Sequence, residues 1–430
     1  MKKCCLFLIA IISAVILQGC GGVGSSAPAP SNVQVIPGDG SATVSWTASA
    51  GVEYWIFKAA GINITPENCS SLPQCSTTLN AVSPTVVSGL TNGTTYSFTI
   101  NGRINGGKGG PGSLSISVIP RLAGSSWSAG PTTITGANNL RGVTFGTVFV
   151  AVGNDIAAHG VIFSSPDGIT WTPQTSPVTA ILNAVAYSNG IYMAVGAGGV
   201  VLTSPDAITW TQQTSATIVN TNELFAVAGN GAGGFVAIGS SGTIITTSAN
   251  NNGTSWSVAT SNPLSNPSNK LNAITFGNGK YVAVGANGSS GALIASTDGG
   301  IGNAWQLVNI QPPSILNGVA YAASTTTDGG VSYTGPATFV AIGAGGTLVT
   351  STDGATWSLQ SSIPSPNLNA VTYGRQFLAV GDSGGIFTST NGTNWTPVTT
   401  PGTNNNLHAV THNTYNYSAV GAAGLNWFAM

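Results

Sequence analysis

Few residues of this chain have side chains that could take part in covalent chemistry. Only 5% of the 430 residues are charged, and after residue 122 the carboxylates outside a repeated turn are Asp155, Glu223, Asp328 and Asp382. Hydrolysis of a glycosidic bond needs two carboxyl groups that face each other across it. Asp155 and Asp382 each follow a repeated Ala-Val-Gly segment, which predicts that they lie on the same face of the fold. A glycoside hydrolase using this pair is one hypothesis, and two solvated loop acids are the alternative.

The histidines do not have the spacing of a metal site. His408 and His412 are four residues apart in a predicted strand, which separates them by about 13 Å, too far to share a metal ion. His159 falls in a predicted loop. We therefore expect neither a metal nor a cofactor.

Seven residues occupy the same place in a repeated unit, directly after the leucine that opens it. They are Arg141, Asn183, Phe225, Asn272, Asn317, Asn369 and His408. If the opening strands start at one face of the fold, these side chains crowd the mouth of a central channel with amide donors and acceptors. Such a ring would bind a neutral, hydroxyl-rich ligand. The alternative is structural, with each asparagine bonded to a loop of the neighbouring unit.

A repeated phrase organises the chain after residue 122: an aromatic residue, any residue, Ala, Val or Ile, and Gly. The seven copies end at Gly153, Gly196, Gly239, Gly285, Gly343, Gly381 and Gly421. A unit that recurs at roughly 40 to 50 residues indicates a blade array. Each unit offers a Leu-led strand, the aromatic strand, a third strand and a closing Trp segment, and four short strands make a propeller blade.

The two ends of the array predict how it closes. The last unit stops at Met430 without its Trp segment, whereas Ser125-Ser126-Trp127 stands alone before the first unit. Together the two pieces make one blade. We expect seven blades over residues 122–430, the seventh taking its outer strand from the start of the domain, which removes an exposed edge.

A second motif, Ser-x-Asp-Gly-x-x-Trp, closes several units; Asp167 and Asp353 lie in copies of it, and Asp206 lies in the related segment from Ser204 to Trp210. The motif is expected to form a turn, because Asp accepts hydrogen bonds from backbone N–H groups, Gly takes a positive φ and Trp packs between blades. Calcium binding is the weaker alternative, since each turn offers one carboxylate where a site wants several oxygens.

This motif resembles the Asp-box of sialidases and related propellers, including photosystem assembly-factor-like ones. In that family the box lies away from the active centre, and sialidase catalysis implies three arginines, a Tyr nucleophile with a Glu partner, and an acid Asp. The predicted propeller has only Arg141 and Arg375, with Glu223 as its sole glutamate. The sialidase machinery therefore cannot be assembled.

The amino terminus has the pattern of an export signal. Lys2 and Lys3 precede the apolar run from Leu6 to Leu17, and Leu17-Gln18-Gly19-Cys20 resembles a bacterial lipobox. The resemblance implies a signal peptide over 1–19 and lipidation of Cys20 in the outer membrane. An ordinary cleaved signal is the alternative. Residues 20–30 are rich in Gly, Ser, Ala and Pro, which indicates a flexible tether.

Residues 31–121 form a predicted domain of alternating strands. The segments around Trp46, Tyr54-Trp55-Ile56-Phe57, and Leu90 to Tyr96 resemble a fibronectin type III domain, in which Trp46 fills the core and Tyr96 forms the tyrosine corner. Cys69 and Cys75 are an even pair in an exported chain, which favours a local disulfide over redox or metal chemistry. We expect this domain to be a spacer.

The combined prediction is an all-β, exported, lipid-anchored protein. It comprises a fibronectin type III-like sandwich and a seven-bladed propeller that binds a protein or a polysaccharide in the cell envelope or outside the cell. A formal charge of −1 excludes a nucleic-acid partner, and we expect a monomer. The rival hypotheses are the glycoside hydrolase and an assembly factor for a membrane complex. A long insertion in the fifth unit, residues 322–338, is a separate candidate for partner contact.

Overall fold

The chain folds almost entirely into β-strands. A computed structural model describes residues 24–38, 40–121, 124–130, 134–214, 222–247, 253–297, 302–328, 331–335, 337–400, 402, 404–413 and 416–429. Within them there are three 3₁₀ helices and no α-helix, which confirms the all-β prediction; the helices are Cys69–Ser71, Ala197–Gly199 and Asp382–Gly384. Over the same residues, no helix has the length and apolarity needed to span a bilayer. The predicted signal peptide and Cys20 lie outside the described residues.

The chain divides into two compact units, residues 1–122 and residues 123–430. The first unit contains eight strands in its described part: β1 (Ser25–Ser26), β2 (Ser31–Gly38), β3 (Ser41–Thr47), β4 (Glu53–Ala60), β5 (Ser76–Ala81), β6 (Thr85–Ser88), β7 (Tyr96–Ile104) and β8 (Ile116–Val118). One sheet has the order β1-β7-β4-β5, with β8 also pairing with β7, and the other has the order β2-β3-β6.

The larger apolar core of the first unit contains both aromatic residues that the sequence singled out. Trp46 and Tyr96 are buried, together with Tyr54 and Phe98. The Tyr96 hydroxyl accepts a hydrogen bond from the backbone N–H of Thr91 at 3.2 Å. Residues of both sheets contribute to this core, because the alternating strands place every second side chain inward.

The predicted tether differs from the structure at its carboxyl end. Ser25 and Ser26 pair with Ile104 and Arg103 of β7, and Ala27 is buried. The N–H of Ala27 donates to the carbonyl of Gly102 at 3.2 Å. The edge of β7 offers unpaired backbone groups, so a Ser-rich segment that reaches it becomes ordered through main-chain bonds alone. Composition cannot reveal that.

Cys69 and Cys75 form a disulfide, with their Cα atoms 5.5 Å apart. The bond closes a loop of six residues that begins with the 3₁₀ helix Cys69–Ser71. Cys69 is buried beside Ala59 and Ile64 in a small apolar cluster. The disulfide therefore closes a local loop between β4 and β5.

In its described part, the second unit contains seven four-stranded antiparallel sheets, called sheets 1 to 7 in chain order. Sheet 1 has β10 (Asn139–Phe145), β11 (Phe149–Asn154), β12 (Gly160–Ser165) and β13 (Thr172–Gln174), and sheet 2 has β14 (Leu182–Ser188), β15 (Ile191–Gly196), β16 (Val201–Ser204) and β17 (Thr211–Gln212). Sheet 3 has β18 (Leu224–Gly229), β19 (Phe235–Gly239), β20 (Ile244–Thr246) and β21 (Ser257–Val258), and sheet 4 has β22 (Lys270–Gly277), β23 (Lys280–Asn287), β24 (Ser290–Ser296) and β25 (Trp305–Leu307). Sheet 5 has β26 (Leu316–Ala322), β29 (Thr338–Gly343), β30 (Leu348–Ser351) and β31 (Ser358–Leu359), and sheet 6 has β32 (Leu368–Tyr373), β33 (Phe377–Gly381), β34 (Ile386–Ser389) and β35 (Thr396–Pro397).

Sheet 7 joins strands from the two ends of the unit. It contains β36 (Leu407–His412), β37 (Tyr417–Gly421), β38 (Asn426–Ala429) and β9 (Ser128–Ala129). Trp427 pairs with Ala129, and Phe428 pairs with Ser128. Trp127 is buried against Trp427 and Tyr417 in the adjoining core. The outer strand of the last sheet thus comes from the start of the unit.

Apolar cores lie between neighbouring sheets. The core between sheets 1 and 2 packs Val150 and Val152 against Tyr192 and Trp210. The first strands of successive sheets are in contact, and β10 of sheet 1 also contacts β36 of sheet 7. The core at that junction packs Leu140 against Val420. All seven opening leucines are fully buried because they lie between two sheets: Leu140, Leu182, Leu224, Leu271, Leu316, Leu368 and Leu407.

The insertion of the fifth unit forms a separate two-stranded hairpin. Its strands are β27 (Thr325–Asp328) and β28 (Val331–Thr334). It joins β26 to β29, which pair directly with each other in sheet 5. Because β26 and β29 still pair, the insertion leaves the four-strand order of that sheet unchanged.

Candidate functional site

Each of the seven sheets carries a β-bulge at the same place in its first strand. In sheet 1, Leu140 pairs with Gly153 and Gly142 pairs with Val152, so Arg141 is an extra residue with no cross-strand partner. The other sheets show the same one-residue shift: Asn183, Phe225, Asn272, Asn317, Asn369 and His408 are the residues passed over. A bulged residue does not pair with the neighbouring strand, and the bulge changes the direction of its side chain.

The seven bulged residues all line one cavity of about 230 Å³. The rest of its wall consists of the small residue that follows each ring position and, in five of the seven strands, the Val or Ile after that. The structure thus brings together every residue of the predicted ring. We call Arg141, Asn183, Phe225, Asn272, Asn317, Asn369 and His408 the ring residues.

The small residue after each ring residue allows neighbouring first strands to approach closely. A Cβ added to Gly142 would lie 2.8 Å from the Cα of Ala184 in the next sheet, and one added to Gly318 would lie 3.1 Å from the Cα of Ala370. Separations this short displace backbone atoms. Gly or Ala at this position therefore sets the narrow spacing of the strands behind the cavity.

Hydrogen bonds connect the ring residues to the next sheet around the cavity. In five of the seven cases a side-chain nitrogen reaches the carbonyl oxygen of the next opening leucine: Asn183 Nδ2 to Leu224 (2.9 Å), Asn272 Nδ2 to Leu316 (2.9 Å), Asn317 Nδ2 to Leu368 (3.0 Å), Asn369 Nδ2 to Leu407 (2.9 Å) and His408 Nδ1 to Leu140 (3.0 Å). The structural alternative named a neighbouring loop. The acceptor is instead a carbonyl of the neighbouring first strand, exposed by the bulge.

Two ring residues depart from this pattern. Phe225 has no polar side-chain atom. Arg141 donates from Nε to the Oδ1 of Asn154 in its own sheet at 3.1 Å, and Asn154 in turn donates to the carbonyl of Asp155. The Arg141 side chain is therefore held towards its own sheet.

Two carboxylates stand directly behind ring asparagines. Glu223 accepts from Asn183 Nδ2 at 3.0 Å. Asp382 accepts from Asn369 Nδ2 at 3.0 Å and from Asn367 Nδ2 at 2.7 Å. Sequence reasoning missed the place of Glu223, although it immediately precedes the opening Leu224 and is therefore next to a ring position.

Asp155 and Asp382 occupy different settings. Asp155 accepts the backbone N–H of His159 at 2.8 Å, and its Oδ2 lies 3.3 Å from Nδ1 of the same residue. The His159 N–H is the main cause that lowers the pKa of Asp155. The residue that corresponds to Asp382, directly after the glycine of the second strand, is Asn154. The local contacts therefore give the two acids different partners, and neither acid lines the cavity.

The surroundings of His408 favour its neutral imidazole form. Burial lowers its pKa, the Leu140 carbonyl opposes this, and Arg141 lowers the pKa further while Asp382 raises it. A carbonyl oxygen can only accept, so Nδ1 carries the proton and Nε2 keeps its lone pair. His412 contacts the Tyr417 ring instead. Among the described residues, no three His, Cys, Asp or Glu side chains form a metal-binding group.

The Ser-x-Asp-Gly-x-x-Trp turns lie elsewhere in the sheets and do not line the cavity. Asp353 Oδ1 accepts the N–H groups of Ala355 and Thr356 at 2.8 and 2.7 Å. In the sixth unit Asn391 does the same with Thr393 and Asn394. The indole N–H usually donates to the carbonyl three residues before it: Trp127, Trp210, Trp256, Trp305, Trp357 and Trp395.

Comparisons with known proteins address the fold. A family model described as the DUF6242 beta propeller domain matches residues 125–276. No curated protein matches the sequence. The chain is similar in structure to YCF48 from Cyanidioschyzon merolae, with 16% identity, a TM-score of 0.54, and coverage of 71% of this chain and 98% of that one.

Two further solved structures have the same relation to the chain. A structure described as YCF48 bound to D1 peptide has 17% identity and a TM-score of 0.52, with coverage of 71% of this chain and 94% of that one. Virginiamycin B lyase from Staphylococcus aureus has 12% identity and a TM-score of 0.55, with coverage of 71% and 100%. At these identities the likeness concerns fold alone. Together with the family model, it identifies a β-propeller in this chain.

Proposed function

We propose that this chain is an exported, lipid-anchored protein of the cell envelope that uses a β-propeller to bind a protein partner. In this proposal residues 1–19 are the signal peptide, Cys20 carries the lipid in the outer membrane, and 31–121 is a fibronectin type III-like spacer. The propeller over 122–430 has seven blades, sheets 1 to 7. It acts without a cofactor, as a monomer.

Seven blades in a closed ring are supported by packing at the junction of the two ends. β9 pairs with β38 in sheet 7, and β10 of sheet 1 contacts β36 of sheet 7. The hydrogen bond from His408 to the Leu140 carbonyl crosses the same junction. Closure of this kind leaves no open sheet edge at the ends of the array.

The observation that carries the binding proposal is the set of seven bulged residues around one cavity. Five of them are fixed by hydrogen bonds to the next sheet, so the site is organised before a ligand arrives and loses little side-chain entropy on binding. A polysaccharide is the alternative ligand. The D1 peptide bound to a YCF48 structure favours a protein, because it is an example of peptide binding by a protein with this fold.

Capture from the native cell envelope tests this function. The bait is the full mature chain, and the variant is Phe225→Asn, which introduces the residue that four other sheets already carry at this position and should leave the fold intact. A partner that binds the wild-type bait should be reduced with the variant. Ile208→Ser, which changes an exposed residue away from the cavity, is the matched control.

Two outcomes would contradict the proposal. One is a partner that is captured equally by the wild type and by Phe225→Asn. The other is capture of glycans alone, with activity that Asp382→Asn abolishes, which would favour the hydrolase hypothesis. A captured membrane complex would identify the chain as an assembly factor.

A further inference from the structure

Three of the ring asparagines keep a side-chain oxygen available to the cavity. Each ring asparagine directs its Nδ2 group to the next sheet, and Asn183 and Asn369 also use the second N–H of that group on Glu223 and Asp382. Within the described part of the chain, no donor reaches the Oδ1 atoms of Asn183, Asn272 or Asn369. These three oxygens are not among the buried side-chain atoms that lack a partner, so they are accessible to solvent. His408 adds the lone pair of Nε2, because Nδ1 is the donor.

Of the three charged groups in the cavity wall or directly behind it, two are negative. Glu223 and Asp382 lie directly behind two of the acceptor residues. Arg141 is the one cationic residue in the described cavity wall, and its Nε is engaged by Asn154. Between Asn183 and Asn272, Phe225 adds an aromatic ring, whose face attracts cations.

We propose that the cavity binds a primary ammonium group on an unbranched alkyl chain, namely a lysine side chain of the protein partner. This inference rests on the proposed function and names the group that the partner inserts. An ammonium group has three donors and no acceptor. It can therefore donate to the asparagine Oδ1 atoms without disturbing the Nδ2 hydrogen bonds that the same asparagines make to the next sheet. The cavity, at about 230 Å³, is smaller than a site for a drug-sized ligand, and one narrow side chain suits it.

The first experiment measures binding of three small probes to the full mature chain by ligand-observed NMR. n-Butylammonium, n-butanol and butyrate share an alkyl chain and differ in charge and in hydrogen-bonding groups. We expect n-butylammonium to bind most tightly. Equal binding of the three probes, or preference for butyrate, would overturn the inference. Tighter binding of glucosamine than of n-butylammonium would replace the lysine side chain with an amino sugar.

Variants assign the binding to the cavity. Glu223→Gln and Asp382→Asn should each weaken n-butylammonium binding by about threefold to tenfold, and Arg141→Gln should strengthen it, because the changes alter local charge in opposite directions. Thermal unfolding of each variant verifies that the fold is retained. If Arg141→Gln weakens binding or the acid variants leave it unchanged, the ammonium is not held here.

The two proposals can fail separately. Capture of a partner that depends on Phe225, without binding of n-butylammonium, would leave the proposed function standing and overturn only the ammonium inference. Binding of n-butylammonium that is lost in Asp382→Asn, without any captured protein, would overturn the protein partner and therefore the lysine assignment.

Discussion

At the scale of single residues, a hydrogen bond can matter more than the identity of the residue that makes it. Asp353 and Asn391 occupy the same turn position in different sheets, and each uses Oδ1 to accept two backbone N–H groups. Of the two side chains, only that of Asp353 is charged and can be neutralised by protonation. The chain thus contains its own comparison between a titrating and a non-titrating turn.

We expect Asp353→Asn to reduce the acid sensitivity of the propeller. The backbone N–H groups, Thr356 first, lower the pKa of Asp353 from 3.8 to about 2. A lowered carboxyl pKa stabilises the folded state above pH 4, and this stabilisation is lost as the pH falls towards 2. Urea unfolding at pH 6 and pH 3 should show a smaller loss for the variant than for the wild type. An identical loss would contradict the assignment, and Asn391→Asp, which should increase the loss, is the control.

Tyr192 joins sheet 2 to the hairpin of sheet 1, and its removal should be measurable. Its hydroxyl accepts the N–H groups of Thr147 and Val148 at 2.8 and 2.9 Å and donates to the Val148 carbonyl. Tyr192→Phe leaves these groups unpaired, which should cost about 1–3 kcal/mol of the free energy of unfolding. Chemical denaturation measures it. Tyr187→Phe changes a half-buried neighbour in ring contact with Tyr192 and should cost less; an equal cost would refute the hydrogen-bond argument.

At the scale of the elements, the repeated phrase predicts strands well because its apolar residues are the ones that become buried. Phe149, Phe235, Phe339 and Phe377 are all buried in the second strands of their sheets, where the aromatic–x–Ala–Val–Gly phrase places them. The propeller fold, for which the family model and the solved structures give support, was therefore predictable from the sequence.

Other features could not be predicted, since they depend on pairing between distant segments. The bulge at each ring position is a property of strand register, and the register of two strands cannot be read from the sequence alone. β5 is a second example: Ser76–Ala81 has no clear apolar alternation, yet it pairs with β4. The position of Glu223 behind Asn183 likewise follows from the approach of sheets 2 and 3.

At the scale of the whole molecule, the propeller should depend on a segment far from most of it in sequence. A chain that begins at residue 131 lacks β9 and Trp127, so the edge of β38 and the surface of Trp427 become exposed. We expect this chain to unfold at lower temperature and to aggregate, because an unpaired edge invites strand addition. A chain that begins at residue 122 retains both features and should remain a soluble monomer.

Differential scanning calorimetry and gel filtration compare the two truncated chains. Equal melting temperatures and equal elution volumes would show that the propeller does not need β9. Trp127→Ala within the longer chain separates the contribution of packing from that of the strand, and it should lower the free energy of unfolding by about 3–5 kcal/mol.

The bulges have a consequence for protein engineering. Because each ring residue stands outside the strand ladder, the chain presents a guanidinium, a phenyl, an imidazole and four amides at seven equivalent positions around one cavity. Randomising these seven codons would yield a library whose members share a scaffold and differ only in the side chains that line the cavity, so the protein could be evolved into receptors for chosen small molecules.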